Sequence, residues 1–87
     1  MTNIKDIRNL KKKIIFRSKH RGTKEMDLLL GNFVKKFIDG FNDNELQDLK
    51  SLLFIEDEII YNWYLKNNSK DKIPVNKVSK MLKNFKI

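Results

Sequence analysis

The sequence predicts an all-α fold, a compact bundle of four to five short helices. Three observations carry this. Apolar residues recur at i, i+3, i+4 and i+7 spacing along nearly the whole chain. No stretch keeps the alternation of a half-buried strand. Glycine and proline are sparse, at Gly22, Gly31, Gly40 and Pro74, with no repeat, low-complexity tract or linker. At 87 residues the chain is read as a single helical domain, 1–87.

Ile4, Ile7, Leu10 and Ile14 mark a first amphipathic helix, with Thr2 or Asn3 as N-cap. It is expected to fray near Phe16 to Lys19. Met26, Leu29, Leu30, Phe33, Val34 and Phe37 mark the second helix without a gap. Gly40 is expected to end it in a conformation with positive φ. Gly31, inside it, costs about 1 kcal/mol of helix propensity and is assigned to close helix packing.

Asn42-Asp43-Asn44-Glu45 reads as a capping box for a third helix that buries Leu46, Leu49, Leu52 and Leu53. A break is expected at Phe54 and Ile55. Glu56, Asp57 and Glu58 then crowd the start of a fourth helix, where anions meet the positive dipole end. Its buried face is Ile59, Ile60, Trp63 and Tyr64, with Trp63 as a core anchor, and Asn67, Asn68 and Ser69 end it. Pro74 is placed in the first turn of a fifth helix with Val75, Val78, Met81, Leu82 and Phe85 on its face.

The net charge is +8 and is unevenly spread. Residues 1–24 and 65–87 are strongly basic, and residues 25–64 are acidic. A small basic helical nucleic-acid-binding module is therefore the alternative reading. Against it, the best-defined helix opens with Glu25 and Asp27, and the lysines lie scattered on helix backs. A composition rich in Lys, Asn and Ile throughout is the favoured account of the charge.

Other classes are excluded more firmly. The chain has no cysteine, which removes disulfides, thiolate metal sites and thiol chemistry. With one histidine, no metal site is expected. No catalytic residue is assigned: Ser18 and His20 are two apart and do not share a helical face. No Gly-rich loop exists to cradle a nucleotide. No apolar run approaches the roughly 18 residues of a membrane span, so no membrane insertion is expected. A basic stretch from Lys5 to Lys13 could serve as a mitochondrial presequence, but it reads equally well as a folded helix, and an unprocessed intracellular protein is expected.

The densest mixture of charges is His20-Arg21-Gly22-Thr23-Lys24-Glu25-Met26-Asp27. Glycine permits close approach of another surface. Arg21 presents a planar fork of donors suited to a carboxylate, a phosphate or a cluster of carbonyls. Glu25 lies four residues on, so the two could pair on one helical face. Local physics alone also allows an ordinary solvated helix start.

This stretch, continued through Leu28-Leu29-Leu30-Gly31-Asn32-Phe33, resembles the signature of the SdhE-type FAD assembly factors, the succinate dehydrogenase assembly factor 2 family. That signature is Arg-Gly-x-x-Glu followed by an acid and an apolar run. Leu52-Leu53 followed by Asp57-Glu58-Ile59-Ile60-Tyr61-Asn62-Trp63 is similar to the family's second segment. The resemblance covers about residues 5–67. The family often has Asp-Pro where this chain has Asp57-Glu58, a change expected to soften that helix start. The C-terminal helix matches only in being amphipathic.

The resemblance implies a non-enzymatic assembly factor that binds the flavoprotein subunit of succinate dehydrogenase and promotes covalent attachment of FAD to it. Some members of the family act on the related fumarate reductase. Arg21, Gly22 and Glu25 are then the expected partner-binding residues, with His20, Lys24 and Asp27 as neighbours of lesser claim. FAD is implicated as the partner's cofactor, not as one bound stably here. The chain is expected to be a monomer when free, without a specific nucleic-acid partner. Its expected location is the bacterial cytoplasm, or the mitochondrial matrix in a eukaryote.

Overall fold

A computed structural model describes residues 4–66 and 72–86. Among them, five α-helices follow in order: α1 Ile4–Lys19, α2 Lys24–Phe37, α3 Asp43–Leu53, α4 Asp57–Lys66 and α5 Lys77–Asn84. A 3₁₀ turn over Ile38–Gly40 follows α2. No strand occurs among the described residues. The all-α bundle is therefore as the apolar spacing requires.

Helix α2 supplies the centre of the core because its apolar stripe is unbroken. Met26, Leu29, Leu30, Phe33 and Val34 are all buried. Leu46, Leu49, Leu52 and Leu53 of α3 meet them, with Ile14 of α1, Ile60 and Trp63 of α4, and Val78 and Leu82 of α5. Helix α1 packs on α2 and α3, and α3 packs on α5. Truncating one such fully buried side chain to alanine costs about 2–5 kcal/mol in proteins generally. No buried side-chain polar atom among the described residues lacks a partner.

Several elements differ from the sequence expectation, each for a physical reason. Helix α1 does not fray at Phe16 but runs to Lys19. Its last turn is pinned by packing: Ser18 is fully buried, and its carbonyl lies 3.8 Å from where a Cβ would stand at Gly31. At that distance a methyl group would make only ordinary contact, so the close helix packing expected at Gly31 does not require a glycine. Helix α2 closes through the 3₁₀ turn, with the Phe41 amide donating to Ile38 O at 3.3 Å, and Gly40 does not adopt a positive φ.

The capping box at Asn42 forms as expected, its side chain and that of Glu45 each bonding the other's amide at 2.9 Å. Helix α4 starts at Asp57 despite the missing proline. Trp63 is buried as an anchor, while Ile59 and Tyr64 are only half-buried. Pro74 is not in α5. A second capping box, Asn76 with Ser79, starts that helix at Lys77. Val75 consequently stands 82% exposed instead of joining the core. The N-cap expected at Thr2 or Asn3 and the helix end at Asn67 to Ser69 lie outside the described residues.

The two C-terminal helices are cross-tied. The Tyr64 hydroxyl donates to Phe85 O, and the Lys83 ammonium donates to Trp63 O and Tyr64 O. These carbonyls end α4, where a cation satisfies both the orphan acceptors and the negative dipole end.

Candidate functional site

Residues 20–23 form the link between α1 and α2. Thr23 is the N-cap of α2, with φ −131° and ψ 158°, and its hydroxyl accepts from the Met26 amide at 3.2 Å. Arg21 therefore precedes the helix and cannot share a helical face with Glu25. Its partner is Asp57, the first residue of α4. Arg21 Nε donates to Asp57 Oδ1 at 2.6 Å, and Nη2 lies 2.6 Å from the same oxygen.

The rest of the guanidinium is also occupied. Nη1 donates to Leu53 O at 2.7 Å and Nη2 to Ile55 O at 3.0 Å. These carbonyls belong to the end of α3 and the break after it. Two of the orphan acceptors there are thus satisfied by one planar cation. Only 9% of the Arg21 side chain is exposed.

Asp57 holds Gly22 as well. Its Oδ2 accepts from the Gly22 amide at 2.7 Å. A Cβ at Gly22 would stand 3.2 Å from that oxygen, tighter than an ordinary contact, so glycine eases the close approach of Asp57 from inside the protein. Its φ is not in the left-handed region. On the other side, Asp27 Oδ1 accepts from the Arg21 amide at 2.7 Å. The link is therefore clamped by two carboxylates, one from α2 and one from α4.

Outside this clamp lies an open groove of about 580 Å³ lined by Gly22, Thr23, Glu25, Met26, Asp57, Glu58 and Tyr61. Glu25, Glu58 and Tyr61 are exposed along it. The groove contains three carboxylates and no cationic side chain. Its carboxylates can accept hydrogen bonds from cations or amides, over a floor held by the hydrogen bonds of Asp57 and Asp27.

The six residues singled out by sequence thus divide. Gly22 and Glu25 line the groove. Arg21 and Asp27 lie behind it and hold its floor. Lys24 is exposed on the first turn of α2, and His20 is exposed beside the Phe16 ring, their centroids 4.0 Å apart. Sequence reasoning did not place Asp57, Glu58 and Tyr61 at this site. A signal was available for Tyr61, an aromatic residue that falls off the buried stripe of α4. None was available for the pairing of Arg21 with Asp57, because nothing local links positions 36 residues apart.

The fold and this groove define a small all-α chain with an open, acidic groove at the junction of α1, α2 and α4. A family model described as flavinator of succinate dehydrogenase matches residues 12–86. Relatives carry the name succinate dehydrogenase assembly factor 2, mitochondrial. That of Dictyostelium discoideum is 43% identical over 63 residues, covering 72% of this chain and 45% of the relative. That of Debaryomyces hansenii is 39% identical over 72 residues, covering 82% and 51%. That of Arabidopsis thaliana is 30% identical over 63 residues, covering 72% and 34%. The chain belongs to the succinate dehydrogenase flavinator family, an assembly-factor family. It spans about half the length, or less, of these curated relatives. The match extends through α5, further than the sequence signatures alone reached. No solved structure matches the chain at a significant level.

Proposed function

We propose that this chain binds the flavoprotein subunit of succinate dehydrogenase through the groove between Gly22 and Tyr61, and so promotes covalent attachment of FAD to that subunit. Membership of the flavinator family supports the client. The observation that carries the surface is the Asp57 clamp, which holds bare backbone at Gly22 beside the exposed carboxylates of Glu25 and Glu58. A surface already held in place loses little entropy on binding.

The chain acts as a binder and not as a catalyst. The bond-forming chemistry belongs to the flavin and to the protein that carries it. This domain holds the flavoprotein in a geometry where the latter's own histidine reaches the isoalloxazine. The carboxylates of the groove disfavour FAD there. Its pyrophosphate would meet Glu25, Asp57 and Glu58, while the nearest guanidinium, that of Arg21, is fully engaged. In this reading FAD is carried by the partner and not by this groove. The same sign of charge disfavours nucleic acid at this site.

Arg21 and Asp27 position the site, whereas Gly22, Glu25, Glu58 and Tyr61 touch the partner. No helix among the described residues is long and apolar enough to cross a membrane. The place of action is that of the client's assembly, the mitochondrial matrix in a eukaryote or the cytoplasm in a bacterium.

The test is Glu25→Ala, an exposed position whose loss leaves the fold intact. Covalent flavin in the flavoprotein, read by in-gel fluorescence, should fall while the helical circular dichroism is unchanged. Full flavinylation with this variant and with Tyr61→Ala would overturn the assignment of the groove.

A further inference from the structure

A second surface is built from the same two chain segments that meet at Arg21. The end of α1 and the end of α3 leave a groove of about 420 Å³ between them, lined by Lys12, Lys13, Phe16, Arg17, Lys50 and Phe54 over a floor of Ile14 and Leu53. Phe16 is 63% exposed and Phe54 56%. Exposing two large aromatic rings on one groove is unfavourable for a free monomer, because each leaves apolar area in water. Four cations surround them, no carboxylate lines the groove, and none of the four is in an ion pair among the described residues. The Arg17 guanidinium lies 3.9 Å from the Phe54 ring centre and bridges the two helices.

We propose that this groove is a second docking surface for the same partner protein, and that it takes an apolar side chain flanked by carboxylates. The proposal rests on the function proposed above. Charge argues for the occupant. The groove is basic where the Gly22 groove is acidic, so the two faces ask for opposite charges on a partner and fix its orientation. Continuity argues for the same partner. Arg17 and Leu53 each give a carbonyl to Arg21, at 3.4 and 2.7 Å, so both grooves are anchored to one guanidinium.

Exposed aromatics among cations also suit single-stranded nucleic acid, whose bases stack on ring faces. Here one face of each ring is already covered, Phe54 by Arg17 and Phe16 by His20. What remains open suits side-chain packing better than base stacking.

The experiment titrates purified flavoprotein subunit against the full chain, Phe16→Ala/Phe54→Ala, Lys12→Glu/Lys50→Glu, and Glu25→Ala. All the substituted positions are exposed or partly so, and circular dichroism confirms the fold. Truncating two interface aromatics should weaken binding about tenfold or more. Charge reversal should slow association and flatten its salt dependence. Loss of binding in Glu25→Ala with unchanged binding in both groove variants overturns this inference and leaves the proposed function standing. Absence of binding by the unaltered chain overturns both. Tight binding of oligothymidylate that disappears in the same two variants overturns the choice of a protein partner.

Discussion

Arg21 and Asp57, 36 residues apart in the chain, meet with Nε 2.6 Å from Oδ1, and the other oxygen of that carboxylate takes the Gly22 amide at 2.7 Å. One side chain thereby fixes both the direction of the link into α2 and the start of α4. The guanidinium also closes the end of α3 through the carbonyls of Leu53 and Ile55. Three helices are registered against one another at a single charge pair, and the exposed groove is the outer surface of that joint.

Removing one partner of this pair leaves the other charge without compensation. Arg21 is 9% exposed and Asp57 24% at the side chain, so solvent offers only partial relief. Asp57→Ala should therefore cost about 3 kcal/mol, at the lower end for breaking a buried pair. For a domain of this size that is a fall in Tm of roughly 12 °C or more. Thermal unfolding followed by circular dichroism reads it directly. The double variant Arg21→Met/Asp57→Leu should lose less than the sum of the singles, and additive losses would show that the two side chains do not act as a pair.

The helices were legible in the sequence because each has an apolar stripe of its own. Leu46 to Leu53 and Met26 to Phe37 announce themselves locally, and so does the Asn42 box. Boundaries failed where a tertiary contact or a rival cap decided them. Burial of Ser18 against α2 extends α1, and the Asn76–Ser79 box overrides the pull of Pro74. At the site, the motif residues were legible only through the family signature. Their arrangement was not, since Arg21 and Asp27 look like surface charges until Asp57 and the turn into α2 are placed beside them.

Glu45 gives a pH dependence of known sign. The Asn42 amide bonds its carboxylate first, then the Lys77 ammonium at 2.9 Å, and together they outweigh burial and hold its pKa below the ordinary 4.5. A depressed folded value means stability that is present above the unfolded value and lost as pH falls through the folded one. Part of the acid loss of stability should thus begin near pH 4.5 and continue below it. Glu45→Gln keeps a capping residue at this position but cannot titrate. Urea midpoints taken from neutral to strongly acidic pH should fall less steeply for this variant. An unchanged slope would assign the acid limb to other carboxylates.

Gly31 should tolerate a methyl group. A Cβ there would stand 3.8 Å from Ser18 O and 3.9 Å from Lys19 Cγ, both ordinary contact distances. The helix interior gains about 1 kcal/mol when glycine becomes alanine. Gly31→Ala should raise Tm by roughly 4–8 °C with flavoprotein binding unchanged. A lowered Tm would mean that α1 and α2 approach more closely in solution than these distances allow.

Gly22→Ala and Glu25→Ala should part company in a way that separates the floor of the groove from its rim. At Gly22 the added Cβ meets Asp57 Oδ2 at 3.2 Å, and that oxygen cannot retreat freely because its carboxylate is held by Arg21. The substitution should loosen the clamp, lowering Tm by several degrees and weakening the flavoprotein complex together. Glu25 lies exposed on the first turn of α2 and contributes nothing to the clamp. Its truncation should leave stability within about 0.5 kcal/mol, as surface changes generally do, and weaken the complex alone. Thermal melts and binding isotherms on the two variants decide between this division and its reverse. An intact Tm for Gly22→Ala with lost binding would make Gly22 a direct contact and nothing more. A lowered Tm for Glu25→Ala would place Glu25 in the fold and not at the rim.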